Sequence, residues 1–244
     1  SSAASDVYKR QKVDYSTRYS RTDYDRPSIL WNDFYNNVLR RCRPVRPLKD
    51  PNGYYMSDIN YIEALQNGGR QNEINDGLSQ QVRITITPLK NWNIIGELNI
   101  KTDNNWTHYE HKRVYSHMAN DPEKTYVATM TGPSEDKVYE YAYKSLFLNP
   151  NVYTNYDITL GQHTIAATAG MQIERQKYRD VSAQRADMIS TDLPVLNLTT
   201  SSQSYGISGV VQEWASAGFF GRINYDYAGR YLVEGNLRYD GVRP

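Results

Sequence analysis

In six stretches of this chain, 81–88, 92–102, 152–160, 164–174, 217–227 and 229–241, every second residue is uncharged and mostly apolar. The pattern is clearest in AGFFGRINYDYAGRYLVEGNLRYDG, Ala217–Gly241. One phase there carries Phe219, Gly221, Ile223, Tyr225, Tyr227, Tyr231, Val233, Gly235, Leu237 and Tyr239. A period of two is the signature of a strand with two unlike faces. All eleven charges of the six stretches fall in the opposite phase: Arg83, Glu97, Lys101, Asp157, Glu174, Arg222, Asp226, Arg230, Glu234, Arg238 and Asp240. The clean face must meet either a protein core or hydrocarbon. A basic side chain at the lipid midplane costs about 2–4 kcal/mol, which would keep such a face free of charge. A secreted β-sandwich, acting as a binding or adhesion module with aromatic loops, is the alternative that gives the same alternation. Two features favour lipid. Nothing obvious covers the apolar phase, since the one helical run, Ile59–Gln66 closed by Gly68-Gly69, is at most two turns and the connections are polar. Trp92, Tyr225, Tyr227 and Tyr231 also gather beside tight turns, with Tyr239 toward the other end, where amphipathic rings suit membrane interfaces. The charged, amide-rich phase then lines a wet lumen or packs on a plug.

Connection lengths point the same way. Tight turns are expected at Pro88–Asn91, Gly161–His163 and Ala228–Arg230, and long connections at Thr22–Asn52, Asp103–Ser145 and Gln176–Glu213. Short alternating with long is the pattern of an outer-membrane barrel, with tight periplasmic turns and long outward loops, and structureless loops of that length are uncommon in compact soluble domains. The alternating runs, beginning with Val13, Tyr15, Thr17 and Tyr19, are about 9 to 13 residues long, against the roughly 9–11 that a tilted membrane strand needs. Mean hydropathy is low, -0.74, but 22 tyrosines and 12% aromatic residues argue against disorder. A net charge of +1 leaves no footprint for nucleic acid. The single cysteine, Cys42, excludes an internal disulfide framework and a cysteine-based zinc cluster. Residues 1–11, SSAASDVYKRQ, match the translation of a sequencing-library adapter and are set apart from the fold, leaving 12–244 as one partial barrel domain.

No catalytic set, cofactor site or metal site is expected. His108 and His111 flank Glu110, and His117 follows, but their spacing is not that of a helical zinc motif. Asp50–Gly53, DPNG, lacks the acidic series of a calcium loop and reads as a turn. Gly218–Gly221 does not open a helix, so it is no phosphate cradle. No GxSxG elbow is present. Asn105-Trp106-Thr107 and Asn197-Leu198-Thr199 match the glycosylation sequon and are assigned no site. Ligand contacts are expected from the loops and the lumen, where Trp106, Tyr109, Tyr115, Tyr126 and Tyr139 could stack on sugars or pack on neighbours.

The hairpin SAGFFGRINYDYAGRYLVEGNLRYDG, Ser216–Gly241, closely resembles that of SusC/RagA-type TonB-dependent outer-membrane transporters of the Bacteroidetes. SRTDYDRP at Ser20–Pro27, DPNGYYM at Asp50–Met56, LQNGGR at Leu65–Arg70 and VRITITPLKNWNIIGELNI at Val82–Ile100 are similar to the same family, whereas RRCRPVRP at Arg40–Pro47 departs from it. The resemblance implies an all-β, antiparallel up-and-down meander supplying about eight strands of a 22-stranded transmembrane barrel. It implies import of oligosaccharides or peptides, a SusD-like surface lipoprotein as lid, and energy from the TonB–ExbB–ExbD complex. The plug, the TonB box and the last strands are expected to lie outside this stretch, so no residue here takes the TonB-contact role.

Overall fold

The computed structural model describes residues 10–30, 34–41, 45, 47–57, 60–201 and 206–243. Their elements are β1 (Gln11–Pro27), α1 (Phe34–Arg41), α2 (Ile62–Asn67), β2 (Arg70–Leu89), β3 (Trp92–His111), β4 (Tyr115–Met118), β5 (Asp121–Val127), β6 (Lys137–Leu160), β7 (His163–Ala186), β8 (Gly206–Tyr227) and β9 (Tyr231–Arg243). Seven strands form one antiparallel sheet in the order β1-β2-β3-β6-β7-β8-β9, and β4 pairs with β5 in a separate hairpin. Every neighbour in the large sheet is a neighbour in sequence once that hairpin is set aside, so the sheet is an up-and-down meander. Among the described residues the sheet has seven strands, close to the eight or so expected. Among the described residues no second sheet covers the apolar phase, as a sandwich would require. The ladder begins at Gln11, opposite Ile86, inside the stretch set apart in sequence; residues 1–9 lie outside the described residues.

The three tight turns fall where alternation breaks. Asn91, Gly161, Ala228 and Gly229 all have positive φ. At Ala228-Gly229 this gives two consecutive left-handed residues, the backbone of a primed hairpin turn whose twist matches its strands. Asp226 closes that turn by accepting from Gly229 N–H at 2.7 Å. Arg230 therefore sits in the turn and not in the strand, because β9 starts at Tyr231. All three tight turns lie at one end of the sheet and the three long connections at the other.

The strands are longer than the alternating runs suggested. β6 and β7 have 24 residues each, and β2 and β3 have 20. They consume both sides of the second and third expected loops, which shrink to 112–136 and 187–205, whereas the first connection starts later and runs on to the start of β2, over 28–69. Crossing a bilayer uses about 9–11 residues of each strand. These strands exceed that length by ten residues or so, about 30 Å at roughly 3.3 Å per residue.

Register places the apolar phase of every strand on one face. One row across the sheet reads Val13, Ile84, Gly96, Val152, Met171, Phe219 and Tyr239. These side chains are open: Phe219 is 60% exposed, Ile223 59% and Val233 64%. The opposite phase is sheltered, as the alternation of exposed and half-buried residues along β7 records. Alternating shelter of this kind means that the sheet curls with its polar phase inside, where side chains crowd together. Toward the loop end the convex face changes character. After Ile173, opposite Ala217, the next residues of that phase on β7 are Arg175, Lys177 and Arg179, before Val181.

The loops carry a small core of their own, contrary to the expectation that they are polar throughout. Ile29, Phe34, Tyr61, Ala64, Val114 and Ala128 are buried together, with Leu30, Val38 and Leu65 against them. α1 supplies Phe34 and Val38 from a segment whose Arg, Pro and Asn content had masked a helix. α2 ends at Gly68-Gly69, where Gly69 adopts φ +98° and its Cα lies so close to the Glu110 carbonyl that a Cβ would stand 2.2 Å from that oxygen. Of RRCRPVRP, residues 42–44 and 46, including Cys42, lie outside the described residues.

Candidate functional site

Inside the curve the sheet presents two zones. Near the tight turns it is a polar network. Glu97 accepts from Gln81 Nε2 at 2.5 Å, from Arg83 Nη2 at 2.9 Å and from Asn99 Nδ2 at 3.1 Å. Asn99 passes the chain on to Asn149 Oδ1 at 3.2 Å, which also accepts from Asn151 at 2.9 Å. Across β8 and β9, Arg222 donates to Glu234 at 2.8 Å and Arg238 to Asp240 at 2.8 Å. Each charge is met by an opposite charge or an amide, as a wall facing water or a polar plug requires.

The second zone lies toward the loop end, where β3, β6 and β7 bring a column of tyrosines onto the concave face. Tyr109 stacks on Tyr139 with ring centroids 4.6 Å apart and planes 21° from parallel. Tyr139, Tyr141 and Tyr143 follow at two-residue spacing along β6, at 6.5 and 6.1 Å. Tyr178 on β7 closes the column, 5.6 Å from Tyr143, with its hydroxyl 2.8 Å from that of Tyr141. The rings are half-buried, so each packs on one side and stays open on the other. Asn105 and Glu73 border the column, with Asn105 Nδ2 donating to Asn75 Oδ1 at 2.6 Å.

The surroundings hold three of these phenols and the neighbouring histidine uncharged. The hydrogen bond to Tyr141 holds the Tyr178 phenol protonated well above the usual range, with burial and Asp180 adding to it. Burial raises Tyr109, with Tyr139 reinforcing it, and burial raises Tyr143, with Asp103 reinforcing it. His111, tilted against Tyr109 at 5.0 Å, is driven down to about 4 by burial and then by Lys137. Open aromatic faces with neutral hydroxyls can stack on sugar rings or on peptide side chains and donate hydrogen bonds to them.

The structure separates the aromatic residues singled out in the sequence. Tyr109 and Tyr139 meet in the column. Trp106 lies on the convex face opposite Ala142, 46% exposed. Tyr115 and Tyr126 sit on the exposed β4–β5 hairpin. Tyr141, Tyr143 and Tyr178 were missed, although VYEYAYKS already spaces three tyrosines two apart. The histidines go to three separate partners. His108 Nδ1 lies 2.6 Å from Glu140 Oε1, His111 enters the column, and His117 stacks on Tyr54 at 3.9 Å with Nδ1 2.7 Å from the Pro122 carbonyl. Among the described residues no three His, Cys, Asp or Glu side chains come together as a metal would need. DPNG forms a turn closed by its own aspartate, which accepts from Asn52 N–H at 2.8 Å and Tyr54 N–H at 3.0 Å. Asn105 is buried within β3, and Gly218–Gly221 is strand.

No protein-family model matches the chain. It is 23% identical over 117 residues to TonB-dependent receptor P3 of Formosa agariphila, a match covering 48% of this chain and 12% of that protein. Among solved structures it is similar to the RagAB peptide importer in its 'open-open' state, with a TM-score of 0.70 at 14% identity, and in its 'closed-closed' state, with 0.67 at 15%. Each of these covers 94% of this chain and 26% of the solved one. The RagAB peptide transporter gives 0.60 at 18% identity over 70% of this chain and 18% of its own. The chain thus spans about an eighth of the curated relative and about a quarter or less of the solved ones.

Proposed function

We propose that this chain, whose fold is that of the barrel wall in SusC/RagA-type TonB-dependent receptors, is part of an outer-membrane importer of oligosaccharides or peptides. The observation that carries the reading is the convex face: apolar, open and free of charge from the tight turns up to Ile173, Leu146 and Ala217. Hydrocarbon is the environment in which such a face costs nothing. Residues 12–244 act as one partial barrel domain. The polar concave zone faces a lumen or plug, and the tyrosine column stands in the outer vestibule, where arriving ligand would first meet the wall. A SusD-like surface lipoprotein would close over the loop end, and the TonB–ExbB–ExbD complex would act through a segment outside this stretch. The protein is a transporter rather than an enzyme.

The vestibule role is tested by ligand binding and uptake in the full-length protein. Replacing Tyr139 and Tyr141 together by Ala should weaken binding of the imported peptide or oligosaccharide about tenfold to a hundredfold, which corresponds to about 1.4–2.8 kcal/mol of stacking on the two rings. Assembly in the membrane should be unaffected. Unchanged binding and uptake would assign the column to packing alone.

A further inference from the structure

Where the convex face turns polar, three neighbouring strands place cations side by side. Lys144 on β6 is directly opposite Arg179 on β7. Lys177 is opposite Glu213 on β8, and Arg175 lies one outward step lower. Arg175 and Lys177 share Glu213, with Lys177 Nζ 3.4 Å from its carboxylate. Four cations against one carboxylate leave a net charge of +3. Like charges directly opposite one another destabilise a sheet, and Lys144 and Arg179, both exposed, face each other across the ladder with no carboxylate in their row on β6, β7 or β8. Further along that row, Asp76 on β2 is already occupied by Arg21 at 3.9 Å and by the Tyr19 hydroxyl at 2.5 Å.

Lys144, Lys177 and Arg179 line a shallow cavity of about 310 Å³ together with Leu146 and Val211. Below it the apolar belt continues through Leu148, Met171 and Phe219. Cations above and apolar side chains below match an amphiphile standing in the membrane, with its anionic end at the loop side. A free anion would have no use for the apolar floor.

We infer that Lys144, Lys177 and Arg179, with Arg175, hold the phosphate of a lipid headgroup in the leaflet on the loop side of the barrel. The inference rests on the membrane reading given above. The full-length protein, reconstituted in phosphatidylcholine nanodiscs doped with phosphatidic acid of the same acyl chains, provides the test. Lipid retained after mild delipidation is read by native mass spectrometry, and heat-dependent gel migration records barrel folding. Wild type should retain phosphatidic acid about tenfold or more over phosphatidylcholine, an anion preference of the kind that basic clusters at membrane surfaces show. K144Q/R179Q should bring the two lipids near parity. E213Q, which removes the one carboxylate, should keep or increase the preference, and K101Q on the concave face should leave it unchanged. Millimolar inorganic phosphate should not displace the lipid. Folded wild type with no preference, a K144Q/R179Q protein indistinguishable from wild type, or full displacement by inorganic phosphate would each overturn the headgroup site while leaving the barrel reading intact. A wild-type protein that never enters the bilayer would overturn both.

Discussion

His111 shows how one side chain reports its surroundings. Buried beside Tyr109 and opposite Lys137, it resists protonation until about pH 4, against an ordinary value of 6.5. The unfolded chain therefore takes up a proton that the folded chain refuses. The stabilising contribution is full above 6.5 and is lost progressively as pH falls toward about 4. Hydrogen exchange at the loop-end amides of β3 and β6 should accelerate between about pH 7 and pH 5 beyond the intrinsic effect of pH, and His111→Gln should flatten the response. If the variant keeps the full pH dependence, another group is responsible. The column around His111 was only half legible in the sequence. Alternation places Tyr139, Tyr141 and Tyr143 on one face, but nothing in their own neighbourhood says that Tyr109 and Tyr178 complete the set. That follows from register, a relation between strands tens of residues apart. Trp106 lands on the opposite face from Tyr109 through alternation alone, since the two differ by an odd number of positions on one strand.

At the scale of the strand, the face assignment makes a sharp claim. Ile223→Arg should cost about 2–4 kcal/mol of folding free energy in lipid, whereas Asn224→Arg, one residue along and on the concave face, should cost about 0.5 kcal/mol or less. Comparing heat-modifiable folding of the two variants in liposomes decides it, and equal losses would refute the assignment. The membrane parts of β2, β3 and β6 to β9 were readable because charge exclusion imposes a strict pattern there. Their extensions were not. Toward the loop end Arg175, Lys177, Arg179 and Glu213 enter the formerly clean phase, so the alternation signal ends although the backbone ladder continues. α1 escaped notice because its eight residues make two turns with one apolar stripe, Phe34 and Val38, too short for periodicity to register.

For the molecule as a whole, the exposed convex face sets the solution behaviour. Ile223, Val233, Leu237 and Tyr239 are each more than half exposed on one continuous sheet surface, far more apolar area than a soluble monomer tolerates. The 244-residue chain without detergent or lipid should associate through this face and its two unpaired edges. Sedimentation velocity is the measurement, and a monodisperse, cooperatively melting monomer in plain buffer would contradict the placement of that face in hydrocarbon. At the opposite end, the connections 28–69 and 112–136 share one buried cluster, and Arg113 joins the latter to Asp136 at 3.5 Å and to Asp187 of the third connection at 3.2 Å. The three long connections are thereby in contact with one another. A substitution that loosens one connection should therefore be felt in its neighbours, through the Phe34 and Val114 cluster between the first two and through Arg113 to the third.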